Sequence, residues 1–328
     1  KKAYAFANKT LNFYPNQKDA LALKTTIETL LAPQIRSRLA YTEDNGDNKA
    51  TTKAVAMSLP WSDRFKTTLS YTQRTTENMR TNDMAKNTNL SLGAEYRVIN
   101  NTWMTSEIGF IKADATTQEY TDVNGSFFIK SRPLPLQYVE FGYKRELQNF
   151  NAELIDEKIF MNNFVLNYNM GTNFGLGWYT GYTFTKQTDG NSRNLLFTSL
   201  YYNFCKRPNI KAGFNYQYMG FKKQIPELYF SPKLYQATEL FVDLVGTSGK
   251  WNYATNAAAG LQFIEKNETN SLFRIEGSVT YSISKELQLA GYGKYNNPAS
   301  ETASGFQFTE IGIKLHWNLT RMPLFELD

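Results

Sequence analysis

From residue 33 to residue 319 the chain alternates apolar and polar positions with a period of two. In TWMTSEIGFIK, which begins at Thr102, Met104, Ile108 and Phe110 share one face, and Thr105, Glu107 and Gly109 share the other. NTNLSLGAEYR sets Leu90, Leu92, Ala94 and Tyr96 against Asn89, Ser91, Gly93, Glu95 and Arg97. FQFTEIGIKLHWNL sets Ile311, Ile313, Leu315 and Trp317 against Glu310, Gly312, Lys314 and His316. Successive side chains of a strand point to opposite faces, so each segment reads as a strand with one apolar and one polar side. The pattern predicts sixteen strands, near 34–43, 52–60, 64–75, 87–98, 102–113, 125–131, 136–147, 158–169, 173–187, 192–205, 209–223, 236–246, 251–265, 271–284, 287–296 and 306–319. Between them lie turn texts such as EDNGDN, VNG, QTDGN, KNETN and NPASETASG, rich in residues that tolerate tight turns.

Residues 1–31 follow a different period. Ala3, Ala5, Ala7, Leu11 and Tyr14 lie at helical spacings, Pro15 stops that helix, and Ala20, Leu23, Ile27 and Leu30 mark a second one over 19–31. The order of a helix, YPN and a second helix carrying small residues resembles a tetratricopeptide repeat boundary. A lone pair of such helices cannot bury its own apolar face, so further repeats are expected upstream. The alternative is an ordinary helical hairpin capping the strand region. The expected division is therefore the end of a helical repeat region at 1–31 and a β-domain over 33–328.

Composition decides where the strands belong. The chain is 15% aromatic with a mean hydropathy of −0.48, and none of its apolar runs approaches the roughly 18 residues of a membrane helix. A soluble sandwich would need a second apolar layer, whereas here the opposing faces are small and polar. Tyr143, Trp178, Tyr182, Tyr216, Tyr218, Tyr281 and Trp317 fall where an apolar band would meet lipid headgroups. The expected fold is all-β: a 16-stranded antiparallel transmembrane β-barrel, preceded by the short helical hairpin and wide enough for an aqueous lumen.

Chemistry is sparse. Cys205 is the only cysteine and His316 the only histidine, which leaves no disulfide framework, thiolate cluster or His-rich metal site. No phosphate loop or catalytic carboxylate pair is visible, so no enzyme, cofactor, metal or nucleic-acid function is expected. A net charge of +6, from 36 basic and 30 acidic residues, decides little. The polar faces predict lumen-lining residues at Arg36, Arg38, Lys66, Arg97, Glu107, Tyr138, Glu140, Lys144, Asn163, Asn167, Arg274, Glu276, Glu310, Lys314 and His316. These either contact a passing solute or form cross-strand ladders that stiffen the wall.

One stretch departs from alternation: PELYFSPKLY, beginning at Pro226. Its prolines either fix a shaped connection or simply end one strand and begin another. Tyr229, Phe230, Ser231, Pro232 and Tyr235 form a YFSP-x-x-Y element that resembles the C-terminal outer-membrane barrel of the cellulose synthase type of exopolysaccharide exporter, in which tetratricopeptide repeats precede the barrel. RPLPLQYVEFGYKREL at 132–147 and the following KIFMNNFVLNYNMG are similar to that family's mid-barrel strands, and helices precede the barrel in both. The resemblance implies a bacterial outer-membrane pore through which a growing exopolysaccharide leaves the cell. It also implies outer-membrane lipid around the wall, and periplasmic or inner-membrane synthase partners reached through upstream helical repeats. A general or solute-specific porin is the alternative, for which KADATTQEYTDVNG at 112–125 would be an inward constriction loop. An outer-membrane hydrolase or acyltransferase, relying on His316, ranks third.

Overall fold

The computed structural model describes residues 2–265, 268–297 and 307–319. Two helices, α1 (Lys2–Phe13) and α2 (Lys18–Leu31), come first. The Gln17 side chain caps α2 by accepting from the amides of Asp19 (2.6 Å) and Ala20 (3.0 Å). Ala7 and Ala20 are buried between the helices, and the Tyr4 hydroxyl donates to Glu28 at 3.0 Å.

Sixteen strands follow: β1 (Gln34–Asp44), β2 (Asn48–Pro60), β3 (Phe65–Asn78), β4 (Met84–Ile99), β5 (Thr102–Asp114), β6 (Glu119–Ser131), β7 (Gln137–Leu147), β8 (Phe160–Gly171), β9 (Leu176–Gln187), β10 (Ser192–Lys206), β11 (Asn209–Phe221), β12 (Tyr235–Ser248), β13 (Trp251–Ile264), β14 (Glu268–Ser282), β15 (Leu287–Asn296) and β16 (Phe308–Asn318). Each pairs antiparallel with its neighbours in sequence, and β1 pairs with β16 from Gln34↔Asn318 to Asp44↔Phe308, closing the barrel. Closure leaves no edge strand, the condition for strands to cross a membrane.

Alternation sorts the two faces of the wall. Leu39, Leu92, Ile108, Phe110, Leu166, Leu240, Ile275, Ile311 and Ile313 are exposed on the outside, while Ala40, Ala85, Ser91, Asn163 and Asn215 are buried on the inside. Trp178, Trp251, Tyr281 and Trp317 stand outward near the ends of β9, β13, β14 and β16 that lie on the α2 side. Tyr143, Tyr182 and Tyr216 are nearer the middle of β7, β9 and β11, so only part of the expected girdle sits at a rim.

The connections on the α2 side are short, spanning 61–64, 100–101, 132–136, 172–175, 207–208, 249–250 and 283–286. Among the described residues two long connections, 148–159 and 222–234, lie at the opposite rim. Outer-membrane barrels keep short turns toward the periplasm and long loops outside, which places α1 and α2 on the periplasmic side. Most of NPASETASG, Lys266 and Asn267 of KNETN, and residues 320–328 lie outside the described residues.

One element corrects the sequence reading. VNG is not a turn and 112–125 is not a constriction loop, because β5 and β6 run through it and turn only at 115–118. Gly125 opposes Ile108 in the ladder, and a Cβ there would stand 2.8 Å from the Glu107 carbonyl oxygen. The glycine thus marks a close strand approach and not a turn.

The ladder between β6 and β7 is incomplete. It joins Gly125–Ser131 to Arg145–Val139, leaving 119–124 of β6 without a β7 partner. A short helix, α3 (Ala152–Asp156), packs inside the wall on β4 and β5 and is tied to this end of β6. The Tyr120 hydroxyl donates to the Ile155 carbonyl at 2.6 Å, the Thr117 amide donates to Asp156 at 3.1 Å, and Arg145 donates to the Val123 carbonyl at 3.1 Å.

Candidate functional site

The inward faces of the strands form one polar surface. Arg36 and Arg38 on β1, Lys66 on β3, Arg97 on β4, Glu107 on β5, and Tyr138, Glu140 and Lys144 on β7 occupy the alternation opposite the exposed apolar residues. Asn163 and Asn167 on β8, Arg274 and Glu276 on β14, and Glu310, Lys314 and His316 on β16 do the same.

Most of these charges meet an opposite charge on the wall. Arg38 pairs with Glu310, Lys66 with Glu95 (3.0 Å), Arg97 with Asp63 (2.6 Å) and Lys144 with Glu146. Arg274 pairs with Glu239 (2.5 Å), and Glu276 lies between Arg274 (3.6 Å) and Lys294 (3.7 Å). Glu140 takes Lys130 at 3.6 Å, the Tyr138 hydroxyl at 2.7 Å and the Asn167 amide at 2.9 Å. Asn163 donates to Glu146 at 3.0 Å. Lys314 has its ammonium 4.2 Å from the Tyr292 ring centre. His316 stands beside Arg36 in the ladder, and its Nε2 is buried without a hydrogen-bond partner among the described residues. Separate positive and negative clusters, which a porin constriction uses, are replaced here by a mosaic.

Two connections turn inward and meet. The aromatic knot of 222–234 and the start of β12 is buried: Tyr229 and Tyr235 are 1% and 0% exposed. The Tyr229 hydroxyl donates to Asp189 (2.7 Å) or Gln187 (3.2 Å) and accepts from the Asn191 amide (2.8 Å). Burial, and then the bond to Asp189, push its phenol pKa above the ordinary value. The Ser231 hydroxyl accepts the Ile225 amide at 2.6 Å, Pro232 offers its carbonyl to the Phe221 amide at 2.9 Å, and Phe230 stands edge-on to Tyr235 at 6.1 Å. Tyr229 and Tyr235 pack with Met219, Ala237 and Leu272 of the wall and with Leu154 of α3. The connection is therefore an internal feature and not a surface loop.

The second connection, 148–159, carries α3. Asn151 caps this helix by accepting the Leu154 amide at 2.8 Å, and its own amide donates to the Leu228 carbonyl at 3.4 Å, joining the two connections. Ile155 and Phe160 pack with Ala85, Ile111 and Ala113 of β4 and β5. Arg74, on β3, donates to the Asn149 carbonyl at 3.0 Å. Four ladder steps separate β3 from β7 along the wall, so 148–159 cuts across the lumen as a chord. The two connections form a plug at the long-loop rim.

Sequence reasoning missed α3, Arg74, Glu239, Asp243 and Tyr292. The last four follow from alternation applied to every strand. For α3 the signal was a twelve-residue connection, 148–159, opening on Asn151 three residues before the Leu154 amide that it caps.

Residues 166–321 match the family model of the cellulose synthase operon protein C C-terminus. The structure is similar to one described as a bacterial polysaccharide outer membrane secretin, with a TM-score of 0.72 and 10% identity, covering 88% of this chain and 99% of that one. It also resembles CdiB from Acinetobacter baumannii, with a TM-score of 0.50 and 7% identity, covering 87% of this chain and 60% of that one. No curated protein sequence matches the chain.

Proposed function

Given that residues 166–321 match the cellulose synthase operon protein C C-terminus, we propose that this outer-membrane barrel is an exit pore for an exopolysaccharide. The observation that carries the reading is a polar lumen whose charges largely compensate one another, with a plug of two connections lodged in its long-loop rim by side-chain contacts. A polymer with many hydroxyls moves through such a lumen by exchanging weak, repeated hydrogen bonds with Asn, Tyr and paired carboxylates, so no one contact arrests it. The role of Arg36, Lys66, Arg97, Glu107, Tyr138, Asn167 and the other lumen residues is contact with that chain. The barrel conducts and does no bond chemistry. Outer-membrane lipid surrounds the apolar band, and a synthase on the periplasmic side feeds the pore through helical repeats continuous with α1 and α2.

A general porin would keep an open bore with opposed charge clusters around a constriction, and the mosaic and the plug both depart from that plan. The test is planar-bilayer conductance of the native barrel and of a variant with 222–234 replaced by a tight turn, with neutral and anionic polysaccharide fragments added in turn. The native protein should conduct weakly, and the variant should open and be blocked in proportion to fragment length. An opened pore that passes small solutes and ignores every fragment would overturn the export reading.

A further inference from the structure

Two tyrosines lie flat on the lumen wall in the same manner. Tyr292 of β15 faces Gly312 of β16, and a Cβ on that glycine would stand 2.6 Å from the ring's Cζ and hydroxyl oxygen. The ring crosses the glycine strand, so its hydroxyl reaches Glu310 (2.7 Å) and accepts from Arg38 of β1 (2.8 Å). Tyr201 of β10 faces Gly177 of β9, where an added Cβ would overlap the ring. This ring also crosses the glycine strand, and its hydroxyl donates to Asn169 of β8 at 2.9 Å. A lysine ammonium covers each ring, Lys314 at 4.2 Å and Lys211 at 5.0 Å from the centres.

Each tyrosine lines a recess in the wall. The Tyr292 recess is about 390 Å³, with Asn256, Glu276, Lys294 and Glu310 around it. The Tyr201 recess is about 290 Å³, with Tyr179, Asn215 and Arg274 around it. Asp243 and Asn256 line both, so the two recesses adjoin. An aromatic floor with a few convergent polar groups suits a sugar, whose C–H face stacks while its hydroxyls take the hydrogen bonds. Glu310 already holds Arg38, Asp243 holds Lys211 (2.5 Å), and Glu276 lies between Arg274 and Lys294, so the charges are offset before any ligand arrives.

We propose that these adjoining recesses are neighbouring subsites for two uncharged pyranose units of the polymer in transit, with Gly177 and Gly312 as positioning residues that keep the tyrosine floors flat. This rests on the export reading above. The two lysines yield their places over the rings and donate to sugar hydroxyls instead.

The experiment is calorimetric binding of a neutral glucose hexasaccharide and of a uronic-acid hexasaccharide to the purified full barrel, with heat-modifiable gel mobility confirming folding. Wild type should bind the neutral oligomer. Tyr292→Ala and Gly312→Ala should each weaken it about tenfold, the loss of one stacking contact, and Tyr292→Phe should stay within about threefold. Tyr201→Ala repeats the test on the other floor should Gly312→Ala not fold. Wild-type binding unchanged in the alanine variants would overturn the subsites and leave the export reading standing. Tighter binding of the uronic-acid oligomer would overturn the uncharged class. No binding of either oligomer by wild type would overturn the subsites, while the export reading stands or falls on the conductance test above.

Discussion

At the scale of single residues, parity carries most of the information. Ile108 and Ile313 stand outward in mid-strand, at 55% and 52% exposure, so replacing either with Lys puts a charge in lipid. Such a change near the midplane should cost roughly 2 to 4 kcal/mol in refolding titrations into liposomes, whereas Thr105→Lys, on the lumen face, should refold as wild type does. Tyr229 is the opposite kind of residue, because parity says nothing about it. Only the folded chain shows its hydroxyl among Gln187, Asp189 and Asn191. Tyr229→Phe keeps the ring but strands those partners, at about 1 to 3 kcal/mol, and should raise channel-opening frequency in a bilayer. Its raised pKa gives a further expectation. The folded state holds the phenolic proton more tightly than the unfolded one, so stability from this group is complete below the ordinary value of about 10 and falls as pH rises above it. Openings should become more frequent in alkali, and less steeply so in Tyr229→Phe.

At the scale of elements, the strands were legible because period two persists along each one and most of the described turns bring Gly, Asn, Asp or Pro. The reading failed where composition contradicted pairing. In β6 the VNG triplet resembles a turn, yet β5 pairs with both Asn124 and Gly125 and holds them extended, and β7 pairs with Gly125 as well. The two plug connections were invisible for a different reason. Their burial depends on wall residues far away in sequence, Arg74 and Ala85 for one and Leu272 for the other. Their roles differ, and shortening each should show it. Replacing 222–234 should raise conductance with little change in resistance to denaturant. Replacing 148–159 should also lower that resistance, because 119–124 of β6 lacks a β7 partner and meets Ile155 of α3, Lys158 and Arg145 instead. Urea midpoints of the two variants would separate the roles.

At the scale of the molecule, closure follows from an even number of strands that each need two neighbours, and from apolar faces that demand lipid. The compensated lumen predicts that an unplugged pore has a cation-to-anion permeability ratio near unity, read from reversal potentials in a salt gradient. The candidate site was legible at this scale only as a list of inward positions. Which rings lie flat, and on which glycines, depends on ladder register. The join between the helices and the barrel has a mechanical consequence. Only Ala32 and Pro33 separate Leu31, the end of α2, from Gln34, the start of β1; both are buried and Ala32 is extended at φ −72°, ψ 144°. Pro33 also offers its carbonyl to the Leu319 amide at 2.8 Å, beside the strand pair that closes the circle. A join so short is a cantilever and not a tether: any torque on the helical arm is delivered to the closing pair, and the arm is aimed by the rim from which it projects.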